Sequence, residues 1–193
     1  QALRSRIGDG VMKVLFVTHS IPVAMNTASA DGTPAARYDA QHIRVASRVA
    51  EAAEAYLGER LDWELVYCSR SGSPHVSWLE PDVNDRLAEL TGVAGVVAAP
   101  IGFISDHMEV AYDLDTQARE SAAAAGFDYE RAATAGIHPD FIATLADLLL
   151  EQAAVARGEL APPDHPCLTE PASCCLPHPQ KEQTHVPSAS HAH

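Results

Sequence analysis

Three short segments of this chain gather side chains able to transfer protons or hold metal ions. The first is THSIP, Thr18 to Pro22. His19 directly follows Val11 to Thr18, an apolar, β-branched run that reads as a buried strand, so its ring is held rigidly at the strand's end. An imidazole there accepts a proton near neutral pH or ligates a borderline metal. The plainer alternative is a histidine that hydrogen-bonds a neighbouring loop. The second segment, PIGFISDHMEVAYDLD, places Ser105, Asp106, His107, Glu109, Asp113 and Asp115 around a strand-to-helix junction. In a helix, Glu109 and Asp113 fall one turn apart on one face, about 6 Å from each other. Asp106 suits a helix cap, and Glu109 and Asp113 suit the positive end of a helix dipole. Those roles leave one coincidence unexplained. Two loops at one sheet edge each deliver an ionisable group, which marks a candidate site. The third segment, CSRSGSPHVSWLEP, runs from Cys68 to Pro81. Gly72 and Pro74 make it turn-rich. Trp78 reads either as a flat stacking surface or as a lid on the core. Arg70 reads either as a carboxylate receptor or as half of a surface ion pair.

The elements that must position these segments alternate along the chain. Val11–Thr18, Leu61–Cys68, Gly95–Phe103 and, more weakly, Phe127–Ala133 read as strands or strand starts. Between and after them lie helical patterns at Tyr38–Leu57, Pro81–Leu90, Glu109–Ala125 (closed by Gly126) and Pro139–Ala156. Strands separated by helices imply parallel pairing through right-handed crossovers. The predicted fold is therefore an α/β, doubly wound, mainly parallel sheet of about four strands. Its functional groups belong on loops leaving the carboxyl ends of strands, and the three segments above are such loops.

The chain has 193 residues, is 47% apolar and carries a formal net charge of −13. That size favours one domain over two. The acidity argues against binding nucleic-acid phosphate or anionic lipid. No apolar run reaches the roughly 20 residues of a membrane helix, and the start QALRSRIGDG reads as neither signal nor transit peptide, so a cytoplasmic location is expected. The missing initiator Met and an opening in mid-helix suggest a fragment or processed form. Residues 1–157 read as one lobe and 158–193 as an irregular tail rich in Pro and His, with Cys167, Cys174 and Cys175. Those cysteines, with Cys68, read as metal or cluster chemistry before they read as a disulfide framework. Cys68, at a strand end, reads as a buried structural thiol.

Taken together, THSIP, SRSG with the following WLEPD, and PIGFISDHMEVAYDLD resemble the carboxyl-terminal half of ferrochelatase, in that family's order and separations. The resemblance covers Val11 to about Glu151. It implies insertion of ferrous iron, as substrate, into a porphyrin during haem synthesis, with coproporphyrin III favoured and protoporphyrin IX the other choice. It implies catalytic roles for His19 and Glu109, a metal or proton path through Asp106, His107 and Asp113, with His19, Glu109 and Asp113 as the metal-binding set, and aromatic cleft positions at Tyr38 and Trp78. Arg70 is the candidate for the porphyrin propionates. The chain holds only one of the family's two lobes, so the resemblance also implies a complementing N-terminal lobe or a homodimer. Some family members hold a 2Fe–2S cluster on carboxyl-terminal cysteines; Cys167, Cys174 and Cys175 resemble that set, although the adjacent pair departs from its spacing. Two competing readings are a half-protein that holds metal or tetrapyrrole without turnover, and a nucleotide-binding domain. The latter lacks a glycine-rich phosphate loop after the first strand.

Overall fold

The computed structural model describes residues 2–29, 34–73 and 75–161. The helices are α1 (Ala2–Ile7), α2 (Val23–Ala28), α3 (Tyr38–Leu57), α4 (Val83–Glu89), α5 (Met108–Val110), α6 (Ala118–Ala125) and α7 (Pro139–Ala156). The strands are β1 (Met12–His19), β2 (Asp62–Cys68), β3 (Gly95–Ala99) and β4 (Asp128–Arg131). All pairings are parallel, in the order β2-β1-β3-β4. The predicted α/β class, parallel pairing and four strands are all present.

β1 is the hub, because both of its faces are covered. Leu15 and Val17 point into a core formed with Val66, Val83, Leu87, Val96, Val110, Leu114 and Ala118. Val14 and Phe16 point the other way, onto Ala46 and Ala50 of α3. Two-residue alternation with apolar side chains on both faces is what a central parallel strand requires. The connection from β1 runs through α3 to β2 on one side. The connection from β3 runs to β4 on the other side. The order therefore reverses between β1 and β3, and a crevice opens outside their carboxyl ends.

Helix ends follow the local chemistry. Asp82 caps α4 by accepting from the Asn84 amide at 2.8 Å. Gly126, at φ 83°, supplies the left-handed turn that closes α6. The helix expected from Glu109 begins one residue earlier, at Met108, and is interrupted. Residues Ala111–Gln117 form a π-helical segment between α5 and α6. The stretch after Thr18, expected as loop, holds α2 and a 3-10 turn at Pro34–Ala36. The irregular tail lies outside the described residues, apart from its first positions, 158–161.

Burial at the sheet's edge keeps several acids neutral. Burial pushes the Tyr67 phenol up to about 12, with the nearby Asp39 charge adding to it. The Cys68 thiol also rises to about 12, chiefly by burial. Tyr129, which donates to the Leu114 carbonyl at 2.9 Å, is raised in the same way. Unfolding returns these groups to ordinary values of 9.0 for the thiol and 10.0 for the phenols. Above those values the unfolded chain holds fewer protons than the folded one, so stability falls as pH rises. Urea unfolding followed between pH 8 and 11 should show a flat midpoint at first and a progressive loss above about pH 9. A midpoint unchanged across that range would contradict the assignment of these side chains to a sealed core.

Candidate active site

The crevice at the reversal point is built from the ends of β1 and β3. His19 is the last residue of β1, and Glu109 lies in α5, beyond the loop that leaves β3. The structure brings them together, with His19 Nε2 3.3 Å from Glu109 Oε1 and both side chains partly open to solvent. On the other edge of the ring, His19 Nδ1 is 2.5 Å from the Ser20 carbonyl oxygen. A carbonyl only accepts, so Nδ1 carries the proton and donates it. In the neutral ring the nitrogen facing Glu109 is then the one without a proton.

Several contacts hold the His19 backbone. Ser20 is buried, its amide donates to Cys68 O at 2.8 Å and its hydroxyl to Leu79 O at 2.9 Å. The Tyr38 hydroxyl donates to the His19 carbonyl at 2.9 Å, and Thr18 Oγ1 lies 2.6 Å from the same hydroxyl. Having spent its only proton on His19, the phenol accepts from Thr18. Burial raises the Tyr38 phenol, which keeps it a donor. Tyr38 thus braces the site through its hydroxyl, while its ring lies against His42 with centroids 4.2 Å apart. Gly102 closes the brace from the β3 side. A Cβ there would sit 2.0 Å from Thr18 Oγ1, so only glycine lets the loop cross the end of β1.

The remaining sequence candidates are placed differently from one another. Asp113 lies in the π-helical segment, is buried, and accepts a very short hydrogen bond from Ser69 Oγ. Ser69 adopts a left-handed φ of 59°, an uncommon conformation for a non-glycine residue. Because the segment is not α-helical, four residues no longer make one α-turn, and Asp113 meets Ser69 just past the end of β2 while Glu109 faces His19. Asp106 caps nothing. Arg131 donates to it at 2.7 Å and to Asp115 at 2.7 Å. The residue at the helix cap is His107, without a side-chain bond to the helix, and its ring packs edge-on against Phe103. Among the described residues, no three His, Cys, Asp or Glu side chains converge where they could hold one metal ion. His19 and Glu109 thus form a pair, which Asp113 does not join.

Trp78 pairs with Pro22 across the first and third segments, tying them together. Its ring covers Gly72, where a Cβ would lie 2.5 Å from the indole. Its buried N–H has no acceptor among the described residues. Arg70 makes a 3.5 Å pair with Glu80, and both ends are exposed. Cys68 is buried in the core, and its Sγ lies 3.4 Å from Ser69 Oγ. Cys167, Cys174 and Cys175 lie outside the described residues.

The sequence reading passed over the apolar surface beside the pair. Ile104 is 67% exposed, Met108 81% and Tyr112 56%, all on the segment that carries Glu109. Val23 and Met25, exposed on α2, follow His19. The signal was present in GFISDHMEVAY: apolar residues interleaved with polar ones just before and inside a helix start.

A parallel α/β domain with an imidazole facing a carboxylate at its strand-order reversal is of the class that places its site in the crevice outside the strand ends. Comparison with known proteins makes the class specific. The ferrochelatase family model matches residues 2–153, and the chain belongs to that family. It is 47% identical over 175 residues to the coproporphyrin III ferrochelatase of Streptomyces griseus subsp. griseus, covering 83% of this chain and 46% of that protein. The Frankia alni protein of the same name is 44% identical over 177 residues, covering 88% and 44%. The ferrochelatase of Rhodopirellula baltica is 41% identical over 177 residues, covering 88% and 46%. The chain therefore spans less than half the length of these relatives.

The brace between the two loops is open to a direct test. Gly102→Ala should destabilise the fold by about 1–3 kcal/mol, the usual penalty for overpacking. That corresponds to a melting temperature lower by roughly 2–4 °C per kcal/mol in a chain of this size. Calorimetry showing no change would mean that the β3 loop does not cross Thr18 as described.

Proposed function

We propose that this chain inserts ferrous iron into a porphyrin, coproporphyrin III by preference, with His19 and Glu109 as the reacting pair. The single observation that carries this reading is the 3.3 Å approach of His19 Nε2 to Glu109 Oε1 in an open crevice. Metallation breaks two pyrrole N–H bonds and forms iron–nitrogen bonds, releasing two protons without changing the iron's oxidation state. A neutral imidazole with its free nitrogen in the crevice accepts a pyrrole proton. The facing carboxylate stabilises the imidazolium that results and passes the charge outward toward solvent. Protonation resets once the proton leaves, so the pair serves for both departures.

The exposed Ile104, Met108 and Tyr112 offer an apolar shelf for the macrocycle face. Arg70, whose pair with Glu80 is exposed and therefore weak, is the cation of the third segment that would receive a propionate. The porphyrin preference rests on the names of the Streptomyces and Frankia relatives.

Anaerobic mixing of the chain with coproporphyrin III and ferrous iron should produce the Soret and visible-band changes of metallation. His19→Ala and Glu109→Gln should each lower the rate by about 10²–10⁴-fold, the range for losing a positioned proton acceptor. Unchanged rates in both variants would remove the pair from the mechanism. Porphyrin that quenches tryptophan fluorescence but is never metallated would reduce the chain to a binding module.

A further inference from the structure

One guanidinium holds the segment that carries Glu109 from outside the crevice. Arg131, the last residue of β4, is largely buried, with its side chain 16% exposed. Its Nε donates to Asp115 Oδ1 at 2.7 Å and its Nη1 to Asp106 Oδ1 at 2.7 Å. Asp106 precedes α5 and Asp115 lies in the π-helical segment, so the two carboxylates bracket Glu109 in the chain. The chain beyond β4 adds a second tie, with Gly136 N donating to Ile104 O at 2.7 Å.

The bracketed stretch cannot place itself. α5 has three residues, too few for a helix stable on its own. Val110 and Leu114 sink into the core and set its depth. Residues Ser105 to Glu109, just ahead of them, are all exposed and gain nothing from that packing. An exposed ion pair contributes little, but a mostly buried guanidinium that grips two carboxylates through separate nitrogens fixes geometry. We propose that Arg131 is a positioning residue: by holding Asp106 and Asp115 together it fixes where Glu109 meets His19. The inference rests on the reading of His19 and Glu109 as the reacting pair, and it gives Arg131 no contact with substrate.

The test compares the full 193-residue chain with Arg131→Gln, Glu109→Gln and the double variant in the metallation assay. Arg131→Gln should slow metallation by about 10²-fold, as a remote substitution that misplaces a reacting group by roughly 1 Å does. On the Glu109→Gln background it should cost nothing further, because residues that act through one another are not additive. Arg131→Lys keeps the charge but cannot bridge both carboxylates, and should be as slow as Arg131→Gln. Hydrogen–deuterium exchange of peptides covering residues 105–117 should quicken in both Arg131 variants, while peptides from β1 and β2 stay as in the unsubstituted chain. Asp106→Asn and Asp115→Asn each remove one arm and allow the same comparison should the Arg131 variants not fold. The proposal is overturned if exchange over 105–117 is unchanged, if Arg131→Lys is fully active, or if the loss from Arg131→Gln repeats in full without the Glu109 carboxylate. An unsubstituted chain that never metallates defeats the metallation reading instead, and the exchange comparison alone then upholds or overturns the clamp.

Discussion

The way β1 ends governs the rest of the carboxyl edge. Thr18 is fully buried at the last covered position of the strand, and His19 is the first residue to emerge. A buried hydroxyl must find a partner, and Thr18 finds the Tyr38 phenol, which in turn donates to the His19 carbonyl. Gly102 lays the β3 loop across the same threonine. One satisfied polar contact thereby fixes three things: where the chain turns out of the sheet, how the helix α3 starts, and how close the β3 loop approaches. The meeting of His19 with Glu109 follows from that arrangement.

Most of the fold was legible because the chain writes it in two plain periods. Val14 to Val17 are apolar without a break, which only a strand buried on both faces tolerates. Punctuation set the helix limits, with Asp82 before α4 and Gly126 after α6. What the sequence left out was local. The short helix α2 arises where a loop was read, because its backbone is secured by contacts remote in sequence. Val23 N donates to Ser77 O at 2.9 Å, and the buried Asn26 accepts from the Asp39 amide. Neither partner is visible in a window of a dozen residues.

The site was legible in part for the same reason. His19 and Glu109 each sit at an element boundary that the pattern marks, and sheet topology brings the two boundaries to one edge. The grouping of Asp113 with Glu109 rested on an α-helical turn, and the π-helical segment changes that geometry. The partner is remote in sequence: Asp113 is bonded to Ser69, which has a left-handed backbone. Trp78 and Arg70 were each given two readings, and Gly72 beneath the indole and Glu80 beside the guanidinium show how each is held in the free chain.

The acidic segment Asp106–Asp115 carries more negative charge in the sequence than it presents in the folded protein. Arg131 binds both Asp106 and Asp115, and its pairing with them strengthens its hold on its proton. Asp113 is satisfied by Ser69. That leaves Glu109 as the carboxylate of this run facing an imidazole, beside exposed Met108 and Tyr112. A metal path of successive acids would need several of these groups free, and their partners would have to be displaced first. The arrangement instead leaves a single imidazole–carboxylate pair bordered by exposed apolar side chains. An overall charge of −13 raises the local concentration of cations around the molecule without requiring a dedicated acidic channel. For the proposed metallation the division of labour is physical: long-range charge would favour approach of the cation, while short-range geometry would decide where a proton can leave.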